Sequence, residues 1–210
     1  PHSLVMTVDM DDGAVGAAWG ETAWISHVLI HPQDKDTIVF CHEGGLLPKH
    51  RLWVVGARPR VRKKEARPVF IESADDFLVH EFFLENGTLG VQRRIFSSAD
   101  PEADFSRTQS SVLMFDSDLK LSAAYDLPGP HSMHVQGERE GRFLVSDAWF
   151  PSRETPMEDG NAWLALHRIV GNEMTVEKIC RHGTSGRTQL SHAHPVVSPD
   201  GKRVLFSSDR

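Results

Sequence analysis

The chain has 210 residues, with 23 basic against 29 acidic side chains and a formal net charge of −6. That balance gives no overall attraction to nucleic acid or to an anionic membrane surface, and no run of about 18 apolar residues offers a bilayer span. The length suits one sizeable core or a set of small repeated units.

Two cysteines, Cys41 and Cys180, lie far apart and form no CxxC pair. A disulfide framework is therefore not expected, and a reducing, cytoplasmic compartment fits best. No charged-then-apolar leader is visible, and the opening Pro1-His2-Ser3 reads as an internal start, so a single domain over 1–210 that is incomplete at both ends is expected. Histidine is the unusual count, at 12. Imidazole is the commonest metal ligand and the side chain best suited to moving protons near neutral pH.

Helical periodicity is poor throughout. Short runs rich in Val, Ile, Phe, Leu and Trp predict strands at 37–41, 52–55, 69–72, 89–92, 112–115, 142–146, 162–167 and 204–207. Clusters of Gly, Pro, Asp and Asn separate them, which is the pattern of an all-β sandwich, barrel or propeller.

A repeat selects among these. The phrase from His194 through Asp200-Gly201 to Phe206 has relatives starting at His80, with Asn86-Gly87, and at His134, with Glu140-Gly141. A fourth copy, from His27 to Phe40, carries one extra residue in its turn. The starting histidines are 53, 54 and 60 residues apart, the length of a four-stranded propeller blade with generous loops. Each of the three copies starting at His80, His134 and His194 reads as strand, tight turn with a glycine where positive φ is needed, and second strand. A β-propeller, of which the chain carries about four blades, is the expected fold. Since equivalent positions in successive blades ring one mouth of the central channel, His27, His80, His134 and His194 are expected to face a shared axial pocket.

Four residues form the expected metal set. His192 and His194 stand two apart in what reads as an extended segment, so both should face one side. Gln189 precedes them in the adjoining loop, and His134 comes from the neighbouring blade; His131 is out of register and less favoured. Three imidazoles and one amide oxygen suit a divalent ion of borderline character, such as Mn, Fe, Co, Ni or Zn. His80, one blade further round and outside that set, is the candidate general base. Packing against Glu81 or Asp76 is its plainer alternative.

In "CHEGGLLPKHRLWVV", Arg51 precedes an apolar strand, where a guanidinium can grip a carboxylate by two hydrogen bonds. His42 and His27 are candidate substrate contacts. The basic cluster from Arg58 to Arg67 reads as a solvated hairpin, with contact to an anionic ligand as the sharper option. No GxSxG, P-loop or GxGxxG occurs.

Taken together, "FCHEG" followed by "RLW", "HEFFLENG", "HVQGEREGRFLVSD" and "QLSHAHPVVSPDGKRVLFSSD" resemble the oligogalacturonate lyases, seven-bladed propellers related to TolB-type repeats. The resemblance runs through nearly the whole chain. It implies a divalent ion, typically manganese, on His134, Gln189, His192 and His194, with His80 as Brønsted base and Arg51 contacting substrate. The implied reaction is β-elimination in an anionic oligouronide.

The sequence departs from the family pattern at Gly45 to His50, at Phe83 and at Ser146-Asp147-Ala148. A relative acting on a different uronate by lyase or epimerase chemistry is the nearest alternative. A metal-dependent hydrolase on the same ring and a non-catalytic TolB-like interaction module are the others.

Overall fold

The computed structural model describes residues 3–43, 50–56, 65–95, 109–127, 132–148, 163–185 and 191–209. The chain divides into two compact units, Pro1–Leu78 and Val79–Arg210. No helix among the described residues is long and apolar enough to cross a membrane.

In the first unit β1 (Ser3–Val8) pairs with β2 (Val15–Glu21). There β3 (Trp24–Ile30), β4 (Thr37–Glu43), β5 (Leu52–Gly56) and β6 (Arg67–Pro68) form a four-stranded antiparallel meander. Val5, Ala18, Ile38, Phe40 and Val55 bury their side chains in its core, with Trp19, Ile25, Trp53 and Ala66 packed against them. The strand expected at 69–72 does not form. The edge strand is instead the two residues Arg67–Pro68, and beyond it the Val69 N–H still reaches the Leu52 carbonyl at 2.8 Å. Proline supplies no N–H, so an edge position is where the ladder tolerates it.

The second unit begins within β7 (Asp76–Phe83), which continues through β8 (Leu89–Ile95), β9 (Gln109–Phe115) and β10 (Leu121–Asp126) as a four-stranded sheet in that order. The next sheet runs β11 (Ser132–Gly137), β12 (Leu144–Ala148), β13 (Trp163–Val170) and β14 (Glu173–Arg181). A pair, β15 (Val196–Val197) with β16 (Val204–Leu205), follows. Phe82, Leu84, Val112, Met114, Leu127, Val135, Leu144 and Met174 make the core. At Gly137 an added Cβ would stand 2.5 Å from side-chain atoms of both Phe82 and Leu84, so only glycine lets the two sheets close over that point.

These meanders are the all-β propeller blades that the repeat predicts. The turn glycines show the register directly. Gly87, Gly141 and Gly201 have φ of 85°, 76° and 67°. Each donates its N–H to the carbonyl three residues back: Leu84 at 3.0 Å, and Glu138 and Ser198 at 2.8 Å. An L side chain rarely adopts that φ, which is why the turn carries glycine each time.

Candidate metal centre

The repeat positions the histidines on locally irregular backbone. His27, His80 and His194 have φ of 47°, 36° and 43°, left-handed values that a non-glycine residue adopts only where its surroundings enforce them. In β3 and β11 the register slips beside the histidine, between Ser26 and Leu29 and between Ser132 and Val135. A bulge of this kind re-aims one side chain out of the strand's alternation.

In the second unit three imidazoles converge. His134, His192 and His194 each offer a ligand atom, and these atoms lie within 4.8 Å of one another. His134 and His192 are buried and His194 is exposed. The ring of His134 is 3.8 Å from that of His194 and 5.4 Å from that of His192.

The route to this convergence differs from the extended segment the sequence implies. His192 and His194 lie outside any strand, since β15 starts only at Val196. Ala193 is fully buried, its carbonyl accepting the Ser207 N–H at 2.8 Å, and the left-handed φ at His194 completes the bend. The flanking rings end 26° from parallel, and Nδ1 of His194 lies 3.2 Å from the His192 carbonyl.

His134 is gripped twice by Asp147, a fully buried residue. Its backbone N–H donates to Oδ1 at 2.7 Å, and Nδ1 meets Oδ2 at 2.6 Å. The other ring nitrogen, Nε2, is buried and has no hydrogen-bond partner. An orphaned buried nitrogen is costly unless something takes its lone pair, and a divalent ion does so. The site's chemistry therefore fits such an ion. Burial, with the neighbouring His134 and His194 adding to it and Asp147 opposing it, lowers the pKa of His192 from its ordinary value and favours the neutral ring, which has one nitrogen lone pair to offer. Gln189 and His131 lie outside the described residues.

His80 stands beside this cluster without belonging to it. Its ring is 4.2 Å from that of His134, and its side chain is half-buried. The plainer reading of His80 as a packed imidazole therefore has to accommodate a second imidazole beside it, tilted by 53°.

The first unit holds the other candidates. Arg51 pairs through Nη1 with Glu43 at 2.9 Å, and its backbone N–H donates to Glu72. Glu43 Oε1 also accepts from Ser26 Oγ at 3.0 Å and lies 3.8 Å from Nε2 of His27. His42 is buried between Phe40 and Trp53, with Nε2 2.5 Å from Glu21. Sequence reasoning missed these carboxylate partners and the role open to Asp147. Most of the basic cluster, 58–64, is outside the described residues.

A bladed all-β chain with three converging imidazoles and an adjacent half-buried histidine defines a class: a propeller protein with a histidine cluster that could hold a metal ion. The family follows from comparison. The oligogalacturonate lyase model matches residues 1–210, and the chain belongs to that family.

It is 26% identical over 224 residues to an oligogalacturonide lyase of Pectobacterium atrosepticum, covering 100% of this chain and 53% of the relative. It is 25% identical over 230 residues to an oligogalacturonate lyase of Dickeya dadantii, again with 100% and 53% coverage. The chain thus spans about half the length of the curated relatives it matches.

Two solved structures share the fold. An oligogalacturonate lyase in complex with manganese has a TM-score of 0.74 at 23% identity, covering 97% of this chain and 50% of the other. The oligogalacturonate lyase of Vibrio parahaemolyticus has a TM-score of 0.78 at 22% identity, with 100% and 52% covered.

Proposed function

We propose that the protein is a metal-dependent lyase that cleaves short oligogalacturonides by β-elimination. One observation carries this: His134, His192 and His194 gather ligand atoms within 4.8 Å, with the His80 ring 4.2 Å from His134, in a chain of the oligogalacturonate lyase family. His134, His192 and His194 would hold the ion, with Gln189 as the proposed fourth ligand. Manganese, present in a structural relative, is the proposed metal. A divalent ion bound there supplies Lewis acidity toward a uronate carboxylate.

The chain's own residues supply the proton transfer. The hydrogen at C5 of a uronate is α to the carboxylate and weakly acidic. An imidazole nitrogen of His80 takes that proton, and the electron pair left behind forms the C4–C5 double bond as the C4–O bond breaks. The leaving oxygen then gains a proton, giving a shortened oligouronide and a 4,5-unsaturated sugar. A general base of this kind contributes about 100-fold or more.

Arg51, His42 and His27 are the proposed further substrate contacts. Of these Arg51 is the natural partner for a carboxylate, although Glu43 already holds its Nη1 and any anionic ligand shares it with that side chain. Residence in the cytoplasm belongs to the same proposal and is supported by Cys41 and Cys180, which are thiols and not a disulfide.

Incubation of the Mn-loaded protein with digalacturonate and trigalacturonate, followed by ultraviolet absorbance of the unsaturated product, tests the reading. His80→Ala is expected to lower the rate by at least about 100-fold while Mn²⁺ affinity stays within about 3-fold. Cleavage without the absorbing product identifies a hydrolase, and no cleavage of any oligouronide leaves an interaction module.

A further inference from the structure

We infer that Asp147 is the positioning residue of the metal centre: its carboxylate holds His134 in the one tautomer that offers Nε2 to the ion. The inference rests on the metal reading of the three-histidine cluster and assigns a task to a residue outside it.

The backbone prepares the contact. In the β11–β12 ladder Ser132 pairs with Ala148 and Val135 with Ser146, so Met133 and His134 together oppose the single residue Asp147. This bulge brings the His134 backbone N–H and its side chain to the same carboxylate. Oδ1 takes the backbone N–H at 2.7 Å, and Oδ2 takes Nδ1 at 2.6 Å.

A carboxylate only accepts hydrogen bonds, so Nδ1 must carry the ring proton. In the neutral imidazole Nε2 then carries the lone pair, and Nε2 is the buried atom with no hydrogen-bond partner. Both torsions of the His134 side chain are fixed by the same grip, which aims Nε2 before any ion arrives.

The Asp147 carboxylate has a buried partner of opposite charge. It is 0% exposed, a position that disfavours a lone carboxylate. Arg94 on β8 is buried at 3% exposure and interacts electrostatically with Asp147. Burial lowers the Arg94 pKa to about 10 and the Asp147 charge acts in the opposite direction, so the guanidinium remains cationic at neutral pH. A buried cation and a buried anion support each other, and the anion fixes the ligand. Carboxylates placed behind a ligating histidine typically change metal affinity by about 10–100-fold.

Asp147→Asn separates this role from simple packing. The amide has nearly the same shape, but it offers one acceptor and one donor where the carboxylate offers two acceptors. With its oxygen on the backbone N–H, its NH2 faces Nδ1 of His134, which must then accept. The ring proton moves to Nε2 and covers the lone pair an ion needs.

The experiment reads the tautomer first, on the metal-free chain labelled with ¹⁵N-histidine, with His134 assigned by the signal lost in His134→Gln. Long-range ¹H–¹⁵N correlation is expected to show Nδ1–H in the wild type and Nε2–H in Asp147→Asn. Titration with Mn²⁺, following the electron paramagnetic resonance of the free aquo ion, is expected to show affinity about 10–100-fold weaker in the variant.

An Nε2–H tautomer in the wild type overturns the inference without any variant having to fold. So does an unchanged tautomer in Asp147→Asn, or Mn²⁺ affinity within about 2-fold of wild type in a variant whose circular dichroism is unchanged. A wild type that binds no Mn²⁺ overturns the metal reading instead.

Discussion

The two units use histidine in opposite ways. In the second, His134, His192 and His194 bring nitrogen atoms together, and the Asp147 carboxylate engages the Nδ1 side of His134. In the first, the imidazoles meet carboxylates: His42 lies 2.5 Å from Glu21, and His27 lies 3.8 Å from Glu43, which also binds Arg51 and Ser26. Yet His27 and His194 occupy the same repeat position and share a left-handed φ. The backbone repeat therefore presents an imidazole in either unit, and its neighbours decide what the imidazole does. Gathered ring nitrogens offer a candidate cation site, whereas an imidazole beside a carboxylate already has an anionic neighbour.

The comparison breaks most directly at the metal. His194→Ala removes one of three clustered nitrogens and is expected to weaken Mn²⁺ binding by more than about 100-fold, beyond what loss of an orienting partner costs. His27→Ala, in the same kind of backbone position but beside Glu43, is expected to leave affinity within about 2-fold. Calorimetric titration of both variants with Mn²⁺ checks the pair. Equal losses would mean that the repeat position, and not its neighbours, determines ion binding.

Legibility in the sequence follows the same division. The blades could be read because the turn chemistry is local: a glycine seven residues after His80, His134 and His194 reports a positive φ, and Gly87, Gly141 and Gly201 adopt it. The cluster could be read because the repeat sets His134 and His194 in register and His192 lies two residues from His194.

The contact of Asp147 with His134 could not be read. It joins adjacent strands through a bulge that no local residue type announces. The left-handed φ at His27, His80 and His194 is likewise not announced by residue type, since histidine adopts it at only a minority of positions. The strand expected at 69–72 failed for a related reason. An apolar run near an edge need not join the ladder, and there the Glu72 N–H turns to Nδ1 of His50 at 3.1 Å.

His167 extends the contrast to a histidine with no clustered partners. It is 1% exposed, its Nε2 lies 2.8 Å from Ser146 Oγ, and burial lowers its pKa from 6.5 to about 4. Between those values the unfolded chain binds a proton that the folded chain refuses. Stability is therefore fully present above about pH 6.5 and falls with pH until about 4, by about 3 kcal/mol in all. His167→Gln removes the titrating group, and urea midpoints measured from pH 7 to pH 4 are expected to fall less steeply than in the wild type. Parallel slopes would show that His167 is protonated in the fold.

The smallest effect compares two turn glycines. Gly13 in the first unit has φ of 74° and open space around it, and Gly201 in the second has φ of 67°. An alanine Cβ at 201 would meet Arg142 Nη2 at 2.7 Å and Glu138 Oε1 at 3.1 Å. The exposed end of Arg142 can swing away. Glu138 cannot, because its buried carboxylate accepts backbone N–H groups of Glu140 and Arg142 at 3.2 and 3.3 Å. Gly13→Ala is expected to cost about 1 kcal/mol for its backbone conformation alone. Gly201→Ala is expected to cost about 2 kcal/mol, the excess being displacement of the Glu138 carboxylate. Chemical denaturation of the two variants measures the difference, and equal losses would show that Glu138 yields and that its turn is softer than its hydrogen bonds imply.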